Sequence, residues 1–201
     1  MIDTVVFDVG NVLTCFGWKD FIKSFGYSED VTERIGKATI EGQYWNEYDR
    51  GVMTNDEIVN NFVSLDKDIE NEIRTTMKCF TGILKPAEYA IPWIGELKNR
   101  GLRVLFLSNF SERAFNECQD ALGFLDYVDG GIFSYRVGLI KPNPAIYRKL
   151  IETYALTPQN CVFIDDLKDN VAAASAIGFN TILFEEYNQA RAELKQLLIM
   201  H

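Results

Sequence analysis

Histidine is almost missing from this chain: of 201 residues, only the last, His201, is one. That excludes a Ser-His-Asp triad, a Cys-His pair and a histidine-ligated metal, the more so because order is least expected at a chain end. Cysteine is sparse as well. Cys15, Cys79, Cys118 and Cys161 are scattered without CxxC spacing, which fits reduced thiols rather than disulfides or zinc. Positive charge is in short supply, with 20 Lys and Arg against 29 Asp and Glu and a net charge of −9. Without a basic cluster, neither nucleic acid nor an anionic membrane is an expected partner. An anionic small substrate would need local positive charge from a bound cation or a placed lysine. No apolar run approaches the roughly 20 residues of a membrane span, and Met1-Ile2-Asp3-Thr4 carries no basic stretch of the kind that opens a secretory signal. The expected location is cytoplasmic. What remains for chemistry is carboxylates, lysine, hydroxyls and a hard metal.

The chain is long enough for one well-buried domain with a modest insert. Two kinds of pattern divide it. From about Thr14 to Lys85 the apolar residues fall at helical spacing: Trp18, Phe21, Ile22 and Phe25, then Tyr44, Trp45 and Tyr48, then Ile58 with Phe62, then Ile69, Ile73 and Met77. Thr54 to Glu57 reads as a capping box, and no strand signal interrupts. From Pro86 onward helices and short apolar runs alternate: a helix ending at Gly101, then "RVLFLSN", "GGIFSY", "NCVFIDD" and "NTILFEE", with helices at about 111–122, 144–155, 168–177 and 187–199. The expected fold is α/β, a parallel sheet core (1–14 and 86–201) carrying an all-helical insert (15–85).

Two apolar runs end in carboxylates: Val5-Val6-Phe7 at Asp8, and Val162-Phe163-Ile164 at Asp165-Asp166. A third, Val104 to Leu107, ends at Ser108-Asn109. Ligands bind outside the carboxyl ends of strands in an open α/β sheet, so these three polar ends are expected to converge on one crevice. Asp8, Asp165 and Asp166 would then form a cluster of hard oxygen donors suited to Mg2+. Two carboxylates side by side at a buried strand end repel each other without a cation. Ser108 and Asn109, at the start of a helix, are placed to hold a phosphate, or to serve as an ordinary N-cap pair. Lys141, in "GLIKPNPAIY" ahead of a helix opened by Asn143 or Pro144, is placed to balance charge around the carboxylates. A carboxylate facing phosphate beside a metal and a lysine points to an aspartyl-phosphate intermediate.

FDVGN at the first strand, SN at 108, KPNP at 141 and IDD at 165 resemble, in order and spacing, the motifs of the haloacid dehalogenase superfamily. The resemblance implies a Rossmann-like core and a helical cap of the family's first type. FDVGN with IDDLKDN looks most like a subgroup of sugar-phosphate phosphatases. By this resemblance Asp8 is the nucleophile and a magnesium ligand. Asp166 is the second metal carboxylate, with Asp165 close by or acting through water. Ser108 binds the transferred phosphoryl group with help from Asn109, Lys141 balances charge around Asp8, and Asp169 and Asn170 support the acidic loop, with Asp169 equally suited to a helix N-cap.

The chain departs from the family at Gly10, where most of its phosphatases carry a second Asp that protonates the leaving group and activates water. The Gly10 backbone carbonyl can still ligate a metal; the proton shuttle is gone. General acid–base help is worth about 10² to 10⁴ in rate, so good leaving groups, or an acid borrowed from the cap, are the expected compensations. The expectation is a magnesium-dependent phosphatase acting on a small phosphorylated metabolite, plausibly a sugar phosphate. Its specificity surface is placed in the region of "YWNEYDRGVM" with no single residue assigned: Tyr44, Trp45 and Tyr48 fall at the helical spacing of a core, and Arg50 suits a substrate contact and a solvated surface alike. The alternatives are a dehalogenase, for which the acidic pair at 165–166 has no use, and a non-catalytic scaffold lacking an acid and base at position 10.

Overall fold

The computed structural model describes residues 1–200; His201 lies outside them. Five strands, β1 (Thr4–Phe7), β4 (Arg103–Ser108), β5 (Gly130–Phe133), β6 (Cys161–Asp165) and β7 (Asn180–Leu183), form one sheet in the order β5-β4-β1-β6-β7. Every pairing in it is parallel, as the alternation of apolar runs and helices predicts. β1 is central and buried along its whole length, which is why Val5, Val6 and Phe7 put apolar side chains on both faces. Its side chains divide by the strand's period of two. Val5 and Phe7 join one hydrophobic cluster, while Val6 joins another with Leu105, Leu107 and Phe163.

Helices cover both faces. α6 (Ala90–Asn99) and α10 (Tyr187–Met200) serve the first face, where Trp93 meets Phe7 edge-on at 4.8 Å. α8 (Pro144–Tyr154) and α9 (Lys168–Ile177) serve the second through Ile146, Tyr147, Leu150 and Ala174. As all five strands run the same way, Asp8, Ser108, Ser134 and Asp165 come out at one edge of the sheet.

Between β2 (Thr14–Phe16) and β3 (Leu84–Pro86) lie α1 (Trp18–Lys23), α2 (Glu29–Ala38), α3 (Trp45–Arg50), α4 (Asn55–Leu65) and α5 (Glu70–Thr76). The expected capping box opens α4: Thr54 Oγ1 accepts from the Glu57 N–H at 3.3 Å, and the Thr54 N–H donates to Glu57 Oε2 at 2.8 Å. Trp45, Tyr48, Phe62 and Phe80 pack this region from inside, with Tyr48 and Phe80 in edge contact at 5.8 Å.

Three details correct the sequence reading. The helical segment is entered and left through strands, because β2 and β3 pair antiparallel as Thr14↔Pro86, Cys15↔Lys85 and Phe16↔Leu84. Strands of three residues are too short to show a period of two, and in a two-stranded ribbon Pro86 sits at an edge that needs no N–H. α6 accordingly begins at Ala90, not Pro86. The helix expected over 111–122 is α7 (Glu112–Glu117) followed by two 3₁₀ turns. There Cys118, Ala121, Leu122 and Phe124 are all buried, so tertiary packing overrides helical periodicity.

α3 is fastened to the core. Ser134 Oγ donates to the Asp49 carbonyl at 2.5 Å and accepts from the Phe110 N–H at 2.8 Å. Gly51 ends α3 at φ +71, and a Cβ there would lie 2.9 Å from Tyr135 Cβ and 3.0 Å from Tyr135 Cα. A left-handed conformation costs a non-glycine residue about 1–3 kcal/mol where the surroundings impose it, and the close backbone adds to that. Gly51→Ala is therefore expected to lower unfolding free energy by at least about 1 kcal/mol in urea titration. An unchanged midpoint would show that α3 is not held in this way.

Candidate active site

Lys141 organises the strand ends. Its side chain is almost wholly buried, and its ammonium lies 2.8 Å from Asp8 Oδ1 and 2.6 Å from Asp165 Oδ2. Asn109 holds the backbone of the same residue from both sides, accepting from the Lys141 N–H at 2.7 Å and donating to its carbonyl at 2.9 Å. Both ends of the Asn109 side-chain amide are thus engaged by the Lys141 backbone. The helix N-cap at this strand end is Ser111, whose hydroxyl accepts from the Ala114 N–H. Asn143 caps α8 with Pro144 in its first turn.

Asp8 follows β1 directly, its N–H bonded to the Ile164 carbonyl at 2.8 Å. Besides Lys141, Oδ1 accepts from the Val9 N–H at 2.7 Å; among the described residues nothing donates to Oδ2. Asp165 is fully buried and saturated. Its oxygens also take the Leu167 N–H at 2.8 Å and the Asn170 amide at 3.0 and 3.1 Å. Asp166 is half-buried and accepts from Asn11 Nδ2 at 3.0 Å. Asn11 takes the left-handed backbone that Asn tolerates (φ 56). Ser108 is buried at the end of β4, and Asp169 lies in the first turn of α9, one residue before Asn170.

Asp8, Asp165 and Asp166 each present a carboxylate oxygen, all within 4.8 Å of one another. Three carboxylates around one ammonium leave an excess of negative charge, and the donors are all hard oxygens. The donor set could hold a metal ion, and all-oxygen ligands fit a hard cation such as Mg2+. Burial lifts the Asp8 pKa; Lys141 pulls it back, Asp165 and Asp166 push it up again, and it settles at about 7. Burial also raises Asp166, against the hydrogen bond from Asn11. Desolvation works to lower Lys141, but the charges of Asp8 and Asp165 outweigh it and its pKa is raised.

One carboxyl in this neighbourhood went unseen at the sequence level. Asp49 on α3 is 7 % exposed and borders a cavity of about 80 Å³ together with Gly10, Asn109 and Ser111. Burial, with the charge of Asp8 added and Lys141 opposing, pushes it up to about 8. Its only sequence signal is an acid inside the aromatic stretch "YWNEYDRGVM", which a solvated helix face would show equally. Asn11 was likewise missed, although it follows Gly10 immediately.

The fold is a Rossmann-like α/β sheet with carboxylates, a serine and a lysine gathered at its strand ends. The chain belongs to the haloacid dehalogenase-like hydrolase family, whose model matches residues 2–178. Among curated proteins it is similar to sesquiterpene phosphatase astK of Aspergillus oryzae, with 26% identity over 96% of this chain and 95% of that protein. It is also similar to phosphatase MT3486 of Mycobacterium tuberculosis, with 27% identity over 94% of this chain and 90% of the relative. Among solved structures, a haloacid dehalogenase family enzyme of Bacteroides thetaiotaomicron in complex with magnesium and inorganic phosphate shares the fold, with TM-score 0.65 and 18% identity over 94% of this chain and 98% of that one.

Asp8 and Asp49 make stability depend on pH. Both have folded pKa values raised above their ordinary 3.8, so the stability each contributes is complete below about pH 4 and is lost as pH rises through about 7 for Asp8 and about 8 for Asp49. In the presence of a chelator, urea unfolding should therefore show stability falling between about pH 4 and 8. Asp49→Asn should flatten the fall up to about pH 8, and Asp8→Asn the part up to about pH 7. Parallel curves for wild type and both variants would mean that neither carboxyl is held neutral.

Proposed function

We propose that this chain is a magnesium-dependent phosphatase that hydrolyses a small phosphate monoester through an aspartyl-phosphate on Asp8. The observation that carries the reading is the carboxylate of Asp8, held by Lys141 and Val9 through one oxygen and open at the other. The similarity to two proteins named as phosphatases supports it. On this reading residues 15–85 act as a cap over the core of 1–14 and 86–201.

Asp8, Asp166 and the Gly10 carbonyl would hold Mg2+, with Asp165 beside them holding Lys141 in place. Bound there, the ion neutralises phosphoryl charge as a Lewis acid. Oδ2 of Asp8 attacks phosphorus while Lys141 fixes Oδ1 and offsets the negative charge that would otherwise repel the substrate. Ser108, buried beside it, binds the transferred phosphoryl oxygens. Water then attacks the phosphoryl group and frees Asp8. The cap excludes bulk water during both steps.

A sugar phosphate is the substrate class suggested by the motifs. The cavity beside Gly10 favours a second reading, because Phe16, Trp45, Phe80, Ile83, Leu84 and Phe110 make most of its wall. A leaving group with an apolar face would bury surface there, whereas sugar hydroxyls would meet few partners.

Phosphate release from sugar phosphates, alkyl phosphates and an aryl phosphate, with and without Mg2+, tests both points. Release is expected only with Mg2+, and Asp8→Asn is expected to fall below about a thousandth of wild type on every ester. Faster turnover of alkyl than of sugar phosphates would favour the apolar class. Release without metal, or with Asp8→Asn, would contradict the proposal, as would halide release from a 2-haloacid in place of phosphatase activity.

A further inference from the structure

We propose that Asp49 is the general acid and general base of this active site, delivered from the helical segment to do the work for which Gly10 has no side chain. The proposal rests on the phosphatase reading of Asp8. Ester cleavage by Asp8 leaves an alkoxide that must be protonated, and the phosphoenzyme must then be attacked by a water that gives up a proton. One group near Asp8 has to hold that proton in one half of the cycle and release it in the other.

The groups around Asp8 exclude themselves in turn. Lys141 donates to two carboxylates and is held in its charged form between them. Asp165 accepts from Lys141, the Leu167 N–H and the Asn170 amide, so both of its oxygens are spoken for. Asp166 belongs to the carboxylate cluster and is tied to Asn11. Gly10 offers nothing, and a Cβ built on it meets no atom within 4 Å. The space beside Gly10 is therefore open, and Gly10 and Asp49 line one cavity.

Asp49 is placed there firmly. Its carbonyl is anchored by Ser134 Oγ at the end of β5, and Ser134 is in turn bonded to the Phe110 N–H in the loop after β4. Its carboxyl has no hydrogen-bond partner among the described residues, though the residue is 7 % exposed. Its oxygens are not among the fully enclosed polar atoms that lack a partner, and an acid lining an active cavity is a functional candidate on physical grounds. The charged groups facing it are Asp8 and Lys141; the rest of the wall is largely apolar. Desolvation and the neighbouring Asp8 charge keep its proton on at neutral pH.

The cycle balances. As Asp8 Oδ2 bonds to phosphorus and the ester P–O bond breaks, Asp49 passes its proton to the leaving oxygen and becomes a carboxylate. In the second half the Asp49 carboxylate takes a proton from the attacking water as the bond between phosphorus and Asp8 breaks. Phosphate leaves, and Asp8 and Asp49 are restored.

The test compares wild type, Asp49→Asn and Asp8→Asn at saturating Mg2+ on butyl phosphate, a poor leaving group, and 4-nitrophenyl phosphate, a good one, by stopped-flow and steady-state assay. Asp49→Asn is expected to lose about 10² to 10⁴ in turnover of butyl phosphate. With the nitrophenyl ester it should still release one equivalent of nitrophenolate at near the wild-type rate and then stall, because the water step lacks its base. Asp8→Asn should show no burst. Retention of the butyl phosphate rate in Asp49→Asn would overturn the assignment. So would loss of the burst in an Asp49→Asn protein that still binds Mg2+ and unfolds cooperatively, since that would mark a structural role. Wild-type protein inactive on both esters would instead remove the phosphatase reading beneath the proposal.

Discussion

Lys141 Nζ stands 2.8 Å from a carboxylate oxygen at the end of β1 and 2.6 Å from another at the end of β6, and the arrangement around it follows from that pair of contacts. A buried ammonium between two buried carboxylates is worth little to stability when complete, because desolvation offsets the attraction. It is costly to break, for any one partner removed leaves the others uncompensated. The cluster is therefore an all-or-none constraint. It draws together two strand ends that lie about 157 residues apart in sequence (165 minus 8), and it holds one oxygen of Asp8 while leaving the other free.

The groups around the cluster secure that geometry. Asn109 fixes the backbone of Lys141, and Asn170 with the Leu167 N–H saturates Asp165. The parallel sheet supplies the rest, since uniform strand direction brings every one of these ends to one edge. The helical segment is not independent of this edge. Ser134 bonds to the Asp49 carbonyl, and Gly51 admits Tyr135 against the end of α3, so α3 is positioned by the end of β5, which runs parallel to the strands that carry the carboxylates. Substrate recognition and proton transfer, as proposed, both depend on this contact.

Much of this was legible in the residues. The apolar runs ending in Asp8, Ser108 and Asp165 announced a parallel sheet with a polar edge, because a strand buried on both faces must be apolar until the chain leaves the sheet. The family was legible from four motifs in order. The ribbon of β2 and β3 was not, since three residues show no period. The contact between the Asn109 side chain and the Lys141 backbone was hidden for a different reason: a side-chain amide at a strand end suits a phosphate as well as a neighbouring backbone. Asp49 was the largest omission. Within its own stretch it reads as a solvated acid on a short helix, and only tertiary packing removes it from water and sets it on one cavity with Gly10, where the proposed role becomes possible.

The most direct test of the account is to locate the phosphoryl group. Wild-type protein mixed with Mg2+ and a phosphate ester, quenched in acid within the first turnover and digested for mass spectrometry, should carry phosphate on the peptide containing Asp8 and on no other. Phosphate found on a different residue, or a phosphate-free protein caught while turnover is under way, would contradict the claim that the Lys141-held carboxylate is the nucleophile.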